Sequence, residues 1–254
     1  MKAWLSLTLF SLVAWHSIEA RADTIVIDAT YTGWYRSGGT NNADLSGGGI
    51  TGPGLYNYAV GRTDPSDTLR NYFVFDLLGV TGLETLTSAQ LGIFSPVSSL
   101  PSFGSGYGST DPEEIYAVYD VSTDPSTLGT ARGVSIFNDL GTGVLFGTVT
   151  VTLQSSNGLV VTTDLNTSAI ATLQQSSGLF AFGGTLTTLD PTRTTNEFIF
   201  GDTSGGGSVQ LVLSGSRVEV VPEPATILLF VTGLAGVAAV CRRRCALRRA
   251  DPIH

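Results

Sequence analysis

Between residues 23 and 221 the sequence contains no cysteine, histidine, lysine or methionine. Ser-His-Asp and Cys-His catalysis need an imidazole base, so this region cannot support either mechanism. Zinc and copper sites depend largely on histidine and cysteine, while Schiff bases and Walker-type phosphate loops need lysine, which argues against all four. What remains is carboxylate chemistry, calcium bound by oxygen ligands, aromatic stacking, or no chemistry at all.

Positive charge is also scarce in this region. Residues 23–221 contain six arginines against 18 carboxylates, which gives a formal charge of −12. Binding to phosphate backbones needs the opposite sign, so we expect no nucleic-acid partner. Because no cysteine is present, no disulfide can stabilise this region, and a hydrophobic core must do so instead.

The first 22 residues have the features of a secretory signal peptide. Lys2 precedes an apolar run over residues 3–15, and Ala20-Arg21-Ala22 has the small-x-small pattern of a cleavage site. The alternatives are a transmembrane anchor or a buried helix, but the apolar run is short for a span of roughly 20 residues. We expect cleavage after Ala22 and export through the Sec translocon.

The C-terminal region has three parts. Pro222 and Pro224 flank Glu223, and two prolines so placed hold the backbone extended and exclude a helix or a central strand. An uncharged apolar run of 17 residues follows over residues 225–241. At about 1.5 Å per residue it forms a helix of about 25 Å, which predicts a single transmembrane helix near the lower length limit. The run ends at a cluster that begins with Arg242, Arg243 and Arg244.

Arginines beside a membrane span stay on the cytoplasmic side, so both ends of the chain place residues 23–221 outside the cytoplasm. The three parts in this order resemble the PEP-CTERM sorting signal. The resemblance implies that a membrane exosortase recognises and processes residues 222–254. It also implies an exported protein, first anchored in the inner membrane, then at the cell surface or extracellular, and associated with exopolysaccharide. A plain single-pass anchor is the alternative, and the sequence indicates no role for Cys241 and Cys245.

Residues 23–221 predict an all-β fold. The stretch "GTVTVTL" (residues 147–153) alternates apolar and polar residues, as half-buried strands do. The stretch "RNYFVFDLL" (residues 70–78) is apolar on both faces, as central strands can be. Asp-Pro pairs and glycine clusters mark the turns. This spacing predicts one antiparallel β-sandwich of jelly-roll type. Strands are expected to begin near residues 24, 55, 70, 87, 115, 144, 159, 179, 196 and 208, and one helix is expected over residues 168–175 with Ser168 as its cap.

The sandwich region also has a weaker resemblance. "RNYFVFDLLGV" (residues 70–80) followed by "LTSAQLGIF" (residues 86–94) is similar to DNRLRE-type and carbohydrate-binding-module-like sandwiches. Other stretches resemble uncharacterised PEP-CTERM proteins. These resemblances imply the fold and bring no established activity.

Three aromatic residues are candidate glycan contacts. Trp34 and Tyr35 lie in "YTGWYRSGG" beside a glycine-rich loop, and Tyr107 lies in the glycine- and serine-rich "GSGYGST". Exposed aromatic rings at these positions would provide stacking surfaces for sugars. The alternatives are that Trp34 fills one end of the core and that Tyr107 anchors its loop.

Acidic residues suggest two further sites. Asp111, Glu113 and Glu114 are candidate calcium ligands, with a solvated turn as the alternative. Glycoside hydrolysis needs two carboxyl groups facing each other across a cleft, and the sequence alone identifies no such pair.

The sequence therefore favours a non-enzymatic, exported envelope or extracellular-matrix protein that associates with exopolysaccharide and needs no cofactor other than, in one alternative, calcium. The other functions that it leaves open are a carboxylate-dependent glycan-active enzyme and a calcium-dependent adhesin.

Overall fold

The computed structural model describes residues 19–42, 56–64, 67–80, 83–97, 106–192, 195–203 and 208–219. Residues Ala22–Arg217 form one compact unit. Of the chain's second unit, only residues 19–21 and 218–219 are described, and they extend the first and last strands. Most of the expected signal peptide and all of the expected sorting tail lie outside the described residues.

The described part of the chain is dominated by short strands. It contains thirteen strands and three α-helices. The strands are β1 (Glu19–Asp28), β2 (Tyr31–Arg36), β3 (Tyr56–Asn57), β4 (Val60–Asp64), β5 (Asp67–Asp76), β6 (Thr85–Ser95), β7 (Glu114–Asp120), β8 (Leu145–Val151), β9 (Leu159–Asp164), β10 (Leu179–Leu186), β11 (Glu197–Ile199), β12 (Asp202–Thr203) and β13 (Val209–Glu219). The helices are α1 (Val134–Asp139), α2 (Leu153–Ser156) and α3 (Thr167–Gln175).

Eight of these strands form two facing sheets. Sheet A has the order β1-β13-β6-β9, and sheet B contains β5-β10-β7-β8, extended by β4, β11 and β2. Counted along the chain, the first of the eight pairs with the last, the second with the seventh, the third with the sixth and the fourth with the fifth. This nested antiparallel pairing is a jelly roll, so the predicted sandwich is confirmed.

The core lies between the two sheets and follows the alternation of the strands. In β13, Val209, Leu211 and Leu213 point inward and are buried. The central strand β5 is instead buried without interruption from Asn71 to Phe75. Both faces of β5 are therefore covered, which explains why this stretch is apolar on both sides.

The second cover on β5 is the connection between β7 and β8, residues 121–144. It contains a 3-10 turn (Pro125–Thr127) and α1. Leu128 and Ile136 from this connection pack with Tyr72 and Val74 on the outer face of sheet B, where they form a second, smaller core. The outer face of sheet A is exposed by contrast, with alternate residues of β1 and β9 in solvent.

The structure contains a strand at or close to each expected position and adds three strands, β2, β4 and β12, and two helices, α1 and α2, which were not expected. The expected helix is α3, but the assignment of Ser168 as its cap is wrong. The cap is Asn166, whose side chain accepts a hydrogen bond from the Ala169 amide at 3.0 Å. In the described ranges, no helix is long and apolar enough to cross a membrane. The expected transmembrane helix over residues 225–241 falls outside those ranges.

Candidate functional site

Two tyrosines of β2, the buried Tyr35 and the half-buried Tyr31, fasten the β7–β8 connection to sheet B. The Tyr35 ring is fully buried, and its hydroxyl lies within donating distance of the carbonyl oxygens of Leu128 (2.6 Å) and Ala131 (2.7 Å). The Tyr31 hydroxyl donates to the carbonyl oxygen of Pro125. Tyr35, which was expected to contact sugars, thus holds a structural segment in place together with Tyr31.

Trp34 points to the opposite face of β2 and is only 4% exposed. It packs with Ala59 and Leu69, and the Arg36 guanidinium lies 5.4 Å from the centre of its ring. The structure therefore corrects the expected glycan platform, because neither Trp34 nor Tyr35 presents a ring face to solvent. Large aromatic rings stabilise the core through the apolar area that they bury, which favours buried positions for both residues.

Tyr107 is also buried. Its hydroxyl donates to the Asp111 carbonyl oxygen at 2.7 Å, which anchors the loop that precedes β7. Burial, together with the negative charge of Glu114, raises the pKa of Tyr107 to about 12. Tyr107 is thus a loop anchor and not an exposed stacking residue.

The expected calcium ligands do not converge on one point. Glu113 is exposed, whereas Glu114 is fully buried and accepts a hydrogen bond from the Thr188 hydroxyl. The two carboxylates separate because successive residues at the start of β7 point to opposite faces. In the part of the chain that the structure describes, no three His, Cys, Asp or Glu side chains are grouped so that they could hold a metal ion. The expected site at Asp111, Glu113 and Glu114 is therefore corrected.

Two other acids have local structural partners: Asp76 at the end of β5 and Asp139 at the end of α1. The Asp76 carboxylate accepts a hydrogen bond from the Leu78 amide at 3.0 Å. Asp139 accepts hydrogen bonds from the Ser122 hydroxyl at 2.6 Å and from the Thr123 amide and hydroxyl at 2.7 Å each. Partial burial tends to raise the pKa of Asp139, but these hydrogen bonds outweigh it and lower the pKa. Both acids stabilise turns.

A buried ion pair closes one part of sheet B. Arg62 Nη1 lies 3.3 Å from Glu197 Oε2, and both side chains are almost inaccessible to solvent. The same Arg62 nitrogen donates to the Asp190 carbonyl oxygen at 2.7 Å, and the Asp190 amide donates to Glu197 Oε2 at 3.2 Å. The pair therefore joins β4, β11 and the loop before β11, which is a structural role.

The remaining candidate surface is the outer face of sheet A. It is made by alternate residues of four strands, whose register places Val212 opposite Gln90 and Gln90 opposite Asp164. We call its polar part the open polar face. Its residues are Thr24, Asp28, Ser88, Gln90, Thr162, Asp164, Gln210 and Ser214.

Side chains on the open polar face are paired across strands. Gln90 Nε2 donates to Asp164 Oδ1 at 2.7 Å, and Gln210 Nε2 donates to Asp28 Oδ1 at 2.9 Å. The hydroxyl oxygens of Thr24 and Ser214 are 3.2 Å apart. An amide held beside a carboxylate presents a donor and several acceptors together, which suits a hydroxyl-rich ligand.

Apolar side chains interrupt these polar pairs. Val26 on β1 is 55% exposed and Val160 on β9 is 53% exposed, and both point to the same side as the open polar face. Alternation within "SVQLVLS" and "TSAQLGIF" indicates which residues of β13 and β6 point outward. The stretch of β5 that is apolar on both faces indicates that this strand is covered, but it does not show that the outer face of sheet A is open, so the sequence alone does not identify the open polar face.

Comparison with known proteins adds information about the C-terminus. Residues 220–244 match the family described as the PEP-CTERM protein-sorting motif. The matched range includes Pro222-Glu223-Pro224 and ends with Arg242, Arg243 and Arg244. Among curated proteins, none is significantly similar to the chain.

Two solved structures of viral origin are distantly similar. The structure of Mud crab tombus-like virus has a TM-score of 0.30 and 10% identity, with 84% of this chain and 96% of that chain covered. The structure of the Macrobrachium rosenbergii nodavirus has a TM-score of 0.30 and 14% identity, with 88% of this chain and 61% of that chain covered.

The matched motif is a sorting signal that covers 25 residues near the C-terminus. It indicates export, a precursor held at the membrane, and processing by an exosortase. The described β-sandwich ends at residue 219 and the motif begins at residue 220. The chain is an exported β-sandwich protein that contains a PEP-CTERM sorting motif.

Proposed function

We propose that this protein is a non-enzymatic component of the cell envelope or extracellular matrix that binds uncharged exopolysaccharide through the open polar face. The observation that carries the proposal is the pair of glutamine–aspartate contacts, Gln90–Asp164 and Gln210–Asp28, on the exposed outer face of sheet A. Sugar hydroxyl groups can both donate and accept, so they complement such pairs.

Charge supports a neutral ligand. The two ionisable residues of the open polar face are Asp28 and Asp164, and the whole region from residue 23 to 221 is strongly acidic. Uronic-acid or sulfated polymers would therefore be repelled, whereas neutral glycans would not.

The free energy expected from a few hydrogen bonds favours weak binding that is repeated along a polymer. Each hydrogen bond exchanged with water contributes only about 1 kcal/mol net, and association itself costs several kcal/mol. A few such bonds give a dissociation constant no tighter than about millimolar. Retention in a matrix would then depend on many copies bound along one polymer or many polymers in one gel.

Geometry argues against hydrolysis on this face. A glycosidase needs two carboxyl groups about 5 to 10 Å apart on either side of the scissile bond. Asp28 and Asp164 lie on β1 and β9, the two edge strands of sheet A, with β13 and β6 between them. Three strand spacings of about 4.8 Å place their backbones at least about 14 Å apart.

A pair of matched double variants tests the proposal. Gln90→Ala with Gln210→Ala removes both amides from the open polar face, whereas Gln154→Ala with Gln175→Ala removes two exposed amides from α2 and α3. Each protein is mixed with exopolysaccharide from the source cells, separated by charge into neutral and acidic fractions, and the fraction co-sedimenting is measured.

We expect wild type and the Gln154/Gln175 variant to co-sediment with the neutral fraction and the Gln90/Gln210 variant to lose most of this binding. Equal binding by the two double variants would refute the role of the open polar face. Preference for the acidic fraction would refute the charge argument.

A further inference from the structure

We propose that the end of the sandwich from which β13 leaves contacts the lipid surface for as long as the tail anchors the precursor. The proposal rests on membrane anchoring by the sorting tail and is independent of glycan binding. We call this region the exit end and define it by the turn over residues 77–80, the start of β6 and the C-terminal end of α3.

The pairing of β13 fixes where the chain leaves the sandwich. Ser216 lies opposite Thr85 at the start of β6, and the Glu84 amide donates to the Ser216 carbonyl oxygen at 2.9 Å. β13 therefore ends, three residues after Ser216, at the end of the sandwich where β6 begins.

The exit end contains an apolar depression of about 170 Å³. It is lined by five leucines and Val80, together with the uncharged Gln174, Ser176 and Ser177. No charged side chain is among the lining residues, so a contact here would be made by apolar groups and not by ion pairs.

Leu78 projects from this depression and is 67% exposed. Three hydrogen bonds hold the turn that carries Leu78. The Asp76 carboxylate accepts one from the Leu78 amide. The Leu77 amide donates to the Gly178 carbonyl oxygen at 2.8 Å, and the Val80 amide donates to the Leu77 carbonyl oxygen at 3.0 Å. This arrangement buries Leu77 and turns the next leucine outward. A fixed leucine exposed beside a leucine-lined depression is a surface suited to a lipid interface.

Chain length places this surface near the bilayer. Only residues 220–224 lie between the end of β13 and the apolar run, and five residues span at most about 18 Å. The opposite end of the sandwich is one length of β6 away, which is about 35 Å for a strand of 11 residues. The exit end thus stays within reach of the lipid in every orientation, and the opposite end does so in few.

The chemistry of the contact predicts its lipid dependence. Exposed acids, Asp76 and Glu84, lie beside the depression, and no basic residue lines it. The lining offers anionic headgroups no basic partner, so the contact should form on zwitterionic lipid and should be insensitive to salt.

The test uses the full chain without its signal peptide, reconstituted in phosphatidylcholine vesicles with no exosortase. Cys241→Ser and Cys245→Ser remove the only native thiols. Onto this background Leu78→Cys is introduced in one variant and Val97→Cys in the other, each labelled with an environment-sensitive fluorophore. Val97 is a matched control because it is 63% exposed and follows β6 at the opposite end.

We expect the label at position 78 to shift to shorter wavelength and to be quenched by nitroxide lipids several-fold more than the label at position 97, at low and high salt alike. Equal quenching at the two positions, or no quenching at position 78 in protein that floats with the vesicles, would overturn the proposal. Quenching at position 78 that requires added exosortase would assign the surface to that enzyme and also overturn it. Failure to float would contradict the anchoring on which the proposal rests.

Discussion

Removing the Tyr35 hydroxyl should loosen the cover on sheet B. In Tyr35→Phe the ring remains but the group that bonds to the carbonyl oxygens of Leu128 and Ala131 is lost. Because the hydroxyl lies in a buried site, the substitution also removes this donor from the Leu128 carbonyl oxygen, whereas the Ala131 carbonyl oxygen keeps the hydrogen bond from Asn41 Nδ2 at 3.0 Å. Removal of one partner from a buried hydrogen bond costs about 1–3 kcal/mol, so we expect a destabilisation of about 2 kcal/mol. For a unit of this size, that lowers the melting temperature by about 4–8 °C.

Urea unfolding of residues 23–221 measures this effect, with the fluorescence of Trp34 as the probe because no other tryptophan occurs in this range. Tyr119→Phe is the matched control, since the half-buried Tyr119 hydroxyl makes no hydrogen bond to the described residues. The control should change the free energy of unfolding by less than about 0.5 kcal/mol. Hydrogen exchange should also quicken at residues 127–131 in Tyr35→Phe alone. If the two variants are equally stable, the tyrosine does not hold the cover and the reasoning fails.

Two further predictions follow from other features. Asp139→Asn should lower the melting temperature at neutral pH, because hydrogen bonds from Ser122 and Thr123 hold the pKa of this carboxyl below its ordinary value of 3.8. A carboxyl whose pKa is lowered in the folded state stabilises the protein fully above the unfolded pKa, and this stabilisation is lost as the pH falls through the folded pKa. The melting temperatures of wild type and variant should therefore converge below about pH 4. A difference in melting temperature that grows on acidification would contradict this. Intact mass should show a product that ends near residues 222–225 only in a host with the exosortase. A full-length product in both hosts would instead indicate a permanent anchor.

The strands that the sequence predicts well are those with one buried face. Val209, Leu211 and Leu213 alternate with polar residues because β13 separates the core from solvent. β2 gives no such pattern, since Trp34 and Tyr35 are adjacent and both buried, on opposite faces. Alternation detects a boundary between core and solvent, so a strand covered on both sides escapes it.

The roles of the aromatic and acidic candidates depended on distant contacts. Tyr35 is buried by a segment that begins about 90 positions later, through bonds to Leu128 and Ala131. Glu113 and Glu114 point to opposite sides because β7 begins at this point, with Glu113 in solvent and Glu114 buried. Local composition suggested sites in both places, but the position of each side chain relative to the sheets was set by tertiary pairing.

The nested strand order has a consequence for when the protein folds. Thr24 and Ser214 meet although 190 positions separate them, and the other strand pairs close successively shorter loops inside this one. Folds dominated by such long-range pairs form in milliseconds to seconds, far more slowly than helical proteins of similar size. Sheet A also lacks its second strand until β13 has been delivered, and β13 is the last strand before the sorting motif. Completion of the jelly roll must therefore follow export of nearly the whole chain. The polypeptide can thus cross the membrane unfolded and complete its fold only when its tail has reached the bilayer.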